Sequence, residues 1–356
     1  MERAAVGYCT VVDETYPTGG AAISTAIGID IGGTKSLFAL FDEKFNVVEE
    51  IKLKTNADKG KKVFSEALTG AVEALVDKAH KSGLVLAGAG AGVAGSIDYQ
   101  EGKIICCPNV PFLDDYPFKA RLAKLTGAHA YVVNDVQAGL YGEYHLGAAK
   151  DAKHVIGVFI GTGIGGALII NGKLHVGATG HAGDIGNYLL HAIGPLAGSQ
   201  REGVLDDVAS RTAIAGDAAI MAVKQWAPNL LKNAGTDVSK IKSGDIAEAI
   251  KAGDTAIEEL VRSRARIVGI ALSNLVDFIK PDRVVLGGGL VEAMPELLRE
   301  EIKAGIEKHS SPAAFKGLKV VVASLENHAV TTGAAKLAID MLLSAAPIGD
   351  DVPAKA

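Results

Sequence analysis

Two stretches of this chain follow one plan. Residues 28–42 read GIDIGGTKSLFALFD and residues 154–174 read HVIGVFIGTGIGGALIINGKL. Each is an apolar strand, a small polar turn with Gly and Thr, a second apolar strand and then a polar turn, DEKF in one and NGK in the other. A repeated unit of this kind predicts two lobes built alike. The chain has 356 residues, room for roughly two domains of ~150 residues each.

With 48% hydrophobic and 22% charged residues, the composition is that of an ordinary soluble globular protein with a deep core. The formal net charge of -5 speaks against nucleic acid or an anionic membrane as the main partner. No apolar run is long enough to cross a bilayer. The opening MERAAVGYCTVVDETYPTGG lacks the basic start and continuous apolar core of a secretory signal. It is expected to be a poorly ordered extension, too short for a helix-turn-helix domain. Cys9, Cys106 and Cys107 are too few and too oddly placed for a disulfide framework, so reduced thiols in a cytoplasm are expected.

Strands and helices alternate along the chain. AIGIDIG, SLFALFD and NVVEEIKLK read as an antiparallel run of strands. FSEALTGAVEALVDKAH carries Phe64, Leu68, Ala71, Leu75, Val76 and Ala79 at helical spacing. LVLAGAG and AYVVND are short apolar strands, the second running into the helix-like VQAGLYGEYHL. The later part is largely helical: SGDIAEAIKAGD, then AIEELVRSRARIVGIALSNLVDFIK stopped by Pro281, then EAMPELLREEIKAGIEKH and a closing TTGAAKLAIDMLL. The strands RVVLGGGL and LKVVVASL lie among them. The expected division is an extension over 1–25, an N-terminal lobe over 26–145, a C-terminal lobe over 146–334 and a closing helix over 335–346 that packs back on the first lobe.

Gly90-Gly92-Gly95 and Gly161-Gly163-Gly166 match the dinucleotide fingerprint G-x-G-x-x-G, which needs a following helix to hold the pyrophosphate. Strand and turn follow both, which speaks against a nicotinamide or flavin site. DIGGTK is not a Walker A loop either, because Thr34 separates Gly33 from Lys35 and a strand follows. Taken alone it serves either as a phosphate loop or as a hairpin turn that wants glycine. Two such hairpins facing each other across a cleft can grip phosphates from both sides with backbone N–H groups. Asp30 in the first can then hold a magnesium ion, directly or through water.

The ordered set GIDIGGTK, GVAGSID, CPNVPF, VVNDVQAG, IGTGIGGALIINGKL, GHAGDIGN and VVLGGGL resembles the ROK-family sugar kinases over about residues 26–345. The resemblance implies an α/β, two-lobed actin/hexokinase-like fold of the ribonuclease-H-like kind, with a nucleotide and sugar cleft between the lobes. It also implies ATP and Mg²⁺ as cofactors, a hexose-type sugar as partner, and a homodimer. Asp135 matches the family's catalytic aspartate, the base that accepts a proton from a sugar hydroxyl as its oxygen attacks the γ-phosphate. Without the resemblance, Asn134 or Asp135 would serve equally to cap the following helix. Asn109 and Asn134 match positions that bind sugar hydroxyls, and Gly95 would let the backbone approach the sugar or simply pack a strand. Gly32, Gly33, Thr34 and Lys35 would meet the ATP phosphates from one side, with Thr162 and Gly163 opposite. Gly287, Gly288 and Gly289 resemble the adenosine site, where a triple glycine is more permissive than a plain turn requires.

The chain departs from the family at its zinc site. Asn187 stands at the histidine, and Ala197, Ser199 and Val204 stand at the three cysteines. No cysteine lies beyond Cys107, and sites of this kind depend on thiolates, so no zinc is expected. Apolar packing of Ala197, Val204 and Leu205 is expected to hold the loop instead. Two family glutamates that bind sugar hydroxyls appear as Asp184 and Asp206, each one methylene shorter, and Asn187 belongs to the same substrate set. The expected activity is ATP-dependent phosphorylation of a hexose hydroxyl, glucose to glucose 6-phosphate first. Another hexose or N-acetylhexosamine, a sugar-sensing regulator and an actin-like ATPase remain as alternatives.

Overall fold

The computed structural model describes residues 25–190 and 203–345. Residues 1–24, with Cys9, lie outside the described residues, as do Ala197 and Ser199. Twelve strands form along the described chain: β1 (Thr25–Ile31), β2 (Lys35–Phe41), β3 (Val47–Lys54), β4 (Leu86–Val93), β5 (Ser96–Asp98), β6 (Lys103–Cys106), β7 (His129–Asn134), β8 (Val155–Ile160), β9 (Ile164–Ile170), β10 (Lys173–His175), β11 (Arg283–Gly287) and β12 (Lys319–Val322). One sheet has the order β3-β2-β1-β4-β7, the other β10-β9-β8-β11-β12. In each, three antiparallel strands are followed by two parallel ones, so the repeat seen in the hairpins extends to the whole sheet.

Alternation and burial explain these strands. β1 is buried almost throughout, with Ile27, Ile29 and Ile31 at 0% exposure, as a central strand covered on both faces must be. β3 at the edge alternates half-buried and exposed residues. The helix α1 (Gly60–Lys81) buries Phe64, Leu68, Ala71, Val72, Leu75 and Ala79 against the first sheet. α2 (Phe118–Thr126) and α3 (Asp135–His145) flank β7 in sequence. The second lobe is covered by α4 (Leu205–Ala209), α5 (Arg211–Val223), α6 (Pro228–Ala234), α7 (Ser243–Lys251), α8 (Thr255–Ile279), α9 (Gly289–Ala293), α10 (Pro295–His309) and α11 (Pro312–Phe315). The stretch EAMPELLREEIKAGIEKH, read as one helix from its periodicity, is two. Pro295 lacks the N–H that would continue α9 and instead opens α10.

The last helix, α12 (Ala329–Ala345), begins two residues before the stretch TTGAAKLAIDMLL and six before the 335–346 unit of the expected division, and lies on the first sheet. Ala335 and Ile339 join Ala26, Ala39 and Phe41 in one buried cluster, and Ala334 and Leu337 join Val133, Ala138 and Tyr141 in another. The approach is backbone to backbone. A Cβ on Gly90 would sit 1.8 Å from the Ala334 carbonyl oxygen, and one on Gly333 would sit 1.8 Å from that of Ala138. Gly333 is therefore a crossing point with α3, not a helix end, and Gly90 of the apparent dinucleotide fingerprint serves packing. Glu143 of α3 is fully buried and accepts from Ala148 N (2.7 Å), Ser324 N (2.9 Å) and Leu325 N (2.7 Å). One carboxylate thus fastens both segments where the chain passes between lobes.

Candidate functional site

A cleft of about 710 Å³ opens between the lobes. It lies at the carboxyl ends of the parallel strands, the usual place for a ligand in sheets of this type. Asp30 is the penultimate residue of β1 and Asp135 the first of α3, so both reach its floor. Register accounts for this. Asp30 pairs with Gly92 of β4, and the next β4 residue, Val93, pairs with Asn134 at the end of β7.

Asn134 does act as the cap. Its Oδ1 accepts from Val136 N (2.9 Å) and Gln137 N (3.2 Å), while its Nδ2 donates to the Gly95 carbonyl at 3.3 Å. The same amide also donates toward the Asp135 carboxylate, so Asn134 orients the acid beside it. The cap fixes the start of α3, which leaves Asp135 facing the cleft while it also accepts from Val136 N at 2.9 Å. Burial, then the charge of Asp135, pushes Asp30 up to about 7. Burial also raises Asp135, partly offset by the N–H groups that reach its carboxylate.

Among the described residues six carboxyl side chains line the cleft: Asp30, Asp135, Asp184, Asp206, Glu292 and Glu326. The described lining holds no Lys or Arg. Burial raises Glu292, with Glu326 adding to it. Among the described residues no group of three or more His, Cys, Asp or Glu is placed to hold a metal. Asp30 fits magnesium carried in with nucleotide phosphates, because that ion uses one or two carboxylates together with phosphate and water.

The hairpins stand on either side. In the first, Gly32 N donates to Lys35 O at 3.1 Å, and Thr55 donates its hydroxyl to Gly32 O (2.6 Å) and its N–H to Thr34 O (3.0 Å). In the second, Gly161 N donates to Gly163 O at 2.8 Å. Arg211 N donates to Gly161 O (3.0 Å), Thr212 Oγ1 to Thr162 O (2.7 Å) and Arg211 Nη2 to Thr162 Oγ1 (3.1 Å). Asp206 accepts from Ile164 N at 2.5 Å. Burial raises Asp206, the Ile164 N–H offsets this in part, and the Asp207 and Asp184 charges add to the rise.

The cleft gathers Asp30, Gly32, Gly33, Gly95, Asn109, Asn134, Asp135, Thr162, Gly163, Asp184, Asp206, Gly288 and Gly289 from the sequence-based set. Four others lie outside its lining. Thr34 and Lys35 are exposed beyond the turn, because β2 has begun at Lys35 and pairs it with Lys54. Asn187 is exposed and donates to Asp184 Oδ2 at 2.6 Å, so it holds a cleft residue without lining the cleft. Gly287 faces the Phe159 ring, which a Cβ there would meet at 2.6 Å. At the loop expected to bind no zinc, Val204 and Leu205 are buried. Leu190 N donates to Gly203 O and Leu205 N to Tyr188 O, both at 2.9 Å, so the two stems are zipped together.

Sequence reasoning missed several residues. Tyr99 donates its hydroxyl to Gln137 Oε1, and Gln137 Nε2 donates to Gly180 O at 2.9 Å, which bridges the lobes beside Asp135. His181, Glu292 and Glu326 line the cleft. Gln137 and His181 sit inside motifs already singled out, whereas Glu292, Glu326 and Arg211 carry no local signature.

Fold and cleft together define a two-lobed α/β protein of the actin/hexokinase-like class. Residues 26–341 match the model of the ROK family, and the chain belongs to that family. It is 29% identical over 311 residues to a glucokinase of Halalkalibacterium halodurans, covering 86% of this chain and 92% of that one. A xylose repressor of Caldicellulosiruptor bescii is 26% identical over 325 residues, covering 90% of this chain and 80% of the repressor. The solved structure of a ROK family glucokinase from Streptomyces griseus in complex with glucose and AMPPNP superposes with a TM-score of 0.76 at 28% identity, covering 89% of this chain and 99% of that one.

Proposed function

We propose that this chain is an ATP-dependent sugar kinase that transfers the γ-phosphate to a hexose hydroxyl, with glucose as the first candidate. The observation that carries the reading is Asp135, a carboxylate of raised proton affinity fixed at the start of α3 between two glycine hairpins. Likeness to one glucokinase, and to another whose solved structure is a complex with glucose and AMPPNP, supports the substrate and cofactor.

In this reading Asp135 accepts the proton of the attacking hydroxyl, and burial supplies the basicity the task needs. Asn134 and Asn109 offer polar groups to the sugar from one lobe and Asp184 from the other. The backbone of Gly32, Gly33, Thr162 and Gly163 receives the phosphates, and Gly288 and Gly289 make room for the adenosine. Asp30 would hold the magnesium that comes with the nucleotide, directly or through water, and that ion would supply neutralising charge for the phosphates in an acid-lined cleft. The positions of the family's zinc ligands carry no thiolate or imidazole, so the loop is proposed to fold without that metal. Lobe closure excludes water that would otherwise hydrolyse ATP.

The test is ADP release with Mg-ATP across hexoses and N-acetylhexosamines, run beside Asp135→Asn. A preferred sugar whose turnover vanishes in the variant supports the kinase and its base. Silence with every sugar, together with binding of one of them, would instead favour the sensor reading that the likeness to a repressor raises.

A further inference from the structure

Arg211 opens α5, a helix of 13 residues. Its Nη2 donates to Thr162 Oγ1 at 3.1 Å and its Nη1 to Ile241 O at 3.2 Å. Among the described residues three of its five N–H donors have no partner, and it forms no ion pair with a described carboxylate. The side chain is half-buried, and that burial lowers its hold on the proton. A partly desolvated guanidinium without a counter-charge is costly, and its field is screened less than that of a surface arginine.

Its place gives the charge a use. Thr162 is the tip of the second hairpin and lines the cleft. Ile241 leads into α7, whose first residue, Ser243, approaches Gly289 closely enough that a Cβ there would meet Ser243 Oγ at 3.8 Å. The guanidinium therefore spans the gap between the phosphate hairpin and the glycine segment offered to the adenosine. The described cleft lining has six carboxylates and no Lys or Arg, while the ligand proposed for it is a polyphosphate. We propose that Arg211 is a phosphate-binding residue of the nucleotide site, turning from Thr162 to the α- or β-phosphate oxygens when nucleotide enters. The assignment rests on the nucleotide reading of the cleft given above.

The experiment compares Mg-ADP with adenosine, which has the same base and ribose without the charge. Calorimetry on the wild type, Arg211→Ala and Arg211→Lys should show ADP binding weakened roughly tenfold or more in the alanine variant. Adenosine binding should stay within about twofold, and lysine should recover part of the loss. In turnover, the KM for Mg-ATP should rise while that for the sugar holds. Equal loss of ADP and adenosine would mean that Arg211 merely braces the hairpin, and unchanged ADP binding would likewise overturn the assignment. If Arg211→Ala does not fold, Arg211→Lys carries the same comparison, with a smaller loss confined to ADP expected. Wild-type protein that binds neither ADP nor adenosine would remove the nucleotide reading and this assignment with it. Wild type that binds ADP beside an indifferent variant would remove only the assignment.

Discussion

The turn that follows β1 is fastened by neutral groups, with Thr55 reaching Gly32 O and Thr34 O. The turn that follows β8 has the same backbone plan and a like neutral brace, Thr212 Oγ1 on Thr162 O, but adds ions, with Asp206 on Ile164 N and Arg211 on Thr162 Oγ1. Repetition has kept the strand–turn–strand geometry while the chemistry supporting it has diverged. The difference matches what lies beside each turn. The first hairpin adjoins the Asp30 and Asp135 pair, which would attract a cation. The second adjoins the end proposed for adenosine, where a protein cation can meet phosphate directly.

The sharpest way to break this division of labour is at the floor. Asp135→Asn should lower kcat by about 10³-fold, within the range of general-base catalysis, and leave sugar affinity within a few-fold. Retained turnover would remove the base assignment. Next come the hairpins themselves. Asp206→Ala leaves a partly buried N–H without its carboxylate and should cost roughly 10- to 100-fold in kcat/KM. Thr55→Val should cost only about two- to fivefold, and the reverse ranking would show that the neutral brace matters more.

Asp30 tests the acid side through stability. Its pKa is raised to about 7 from the ordinary 3.8, so the stability of its protonated form is present at low pH and is lost as pH rises through about 7. Without nucleotide, Asp30→Asn should therefore be more stable than the wild type at pH 8, by roughly 1–3 kcal/mol, with a smaller gap at pH 5. Thermal melts at the two pH values check it, and equal gaps would contradict the electrostatic cause. The smallest expected effect is none. A chelator strong for zinc, with Mg²⁺ in excess, should leave activity unchanged, and loss restored by zinc would contradict the zinc-free reading of the loop around Asn187 and Val204.

Much of this was legible in the sequence because it is periodic or local. The repeated hairpins, the amphipathic α1 and the Asn134–Asp135 pair at a strand end are all patterns within a few residues. What was not legible depends on register or on distance. The side chain of Lys35 misses the cleft because β2 begins one residue after the turn, a detail that the string GGTK leaves open. Arg211 meets Thr162 across 49 positions, and nothing near either residue announces the other. Asn134 caps α3 with its oxygen, which is one of the two readings that an Asn-Asp pair at a strand end leaves open. Pro295 was visible, but the apolar spacing on both sides outweighed a single missing N–H.

The seat of α12 has a consequence for how the molecule comes into being. The first lobe is translated early, yet its glycine-faced sheet is completed by residues 329–345. A growing chain must therefore carry that sheet half-covered while the entire second lobe is made, and contacts spanning some three hundred positions can form only at the end. Long-range closure of this kind slows folding and leaves apolar surface open to wrong partners in the meantime. A chain cut before Ala329 would lose its first lobe, not its last.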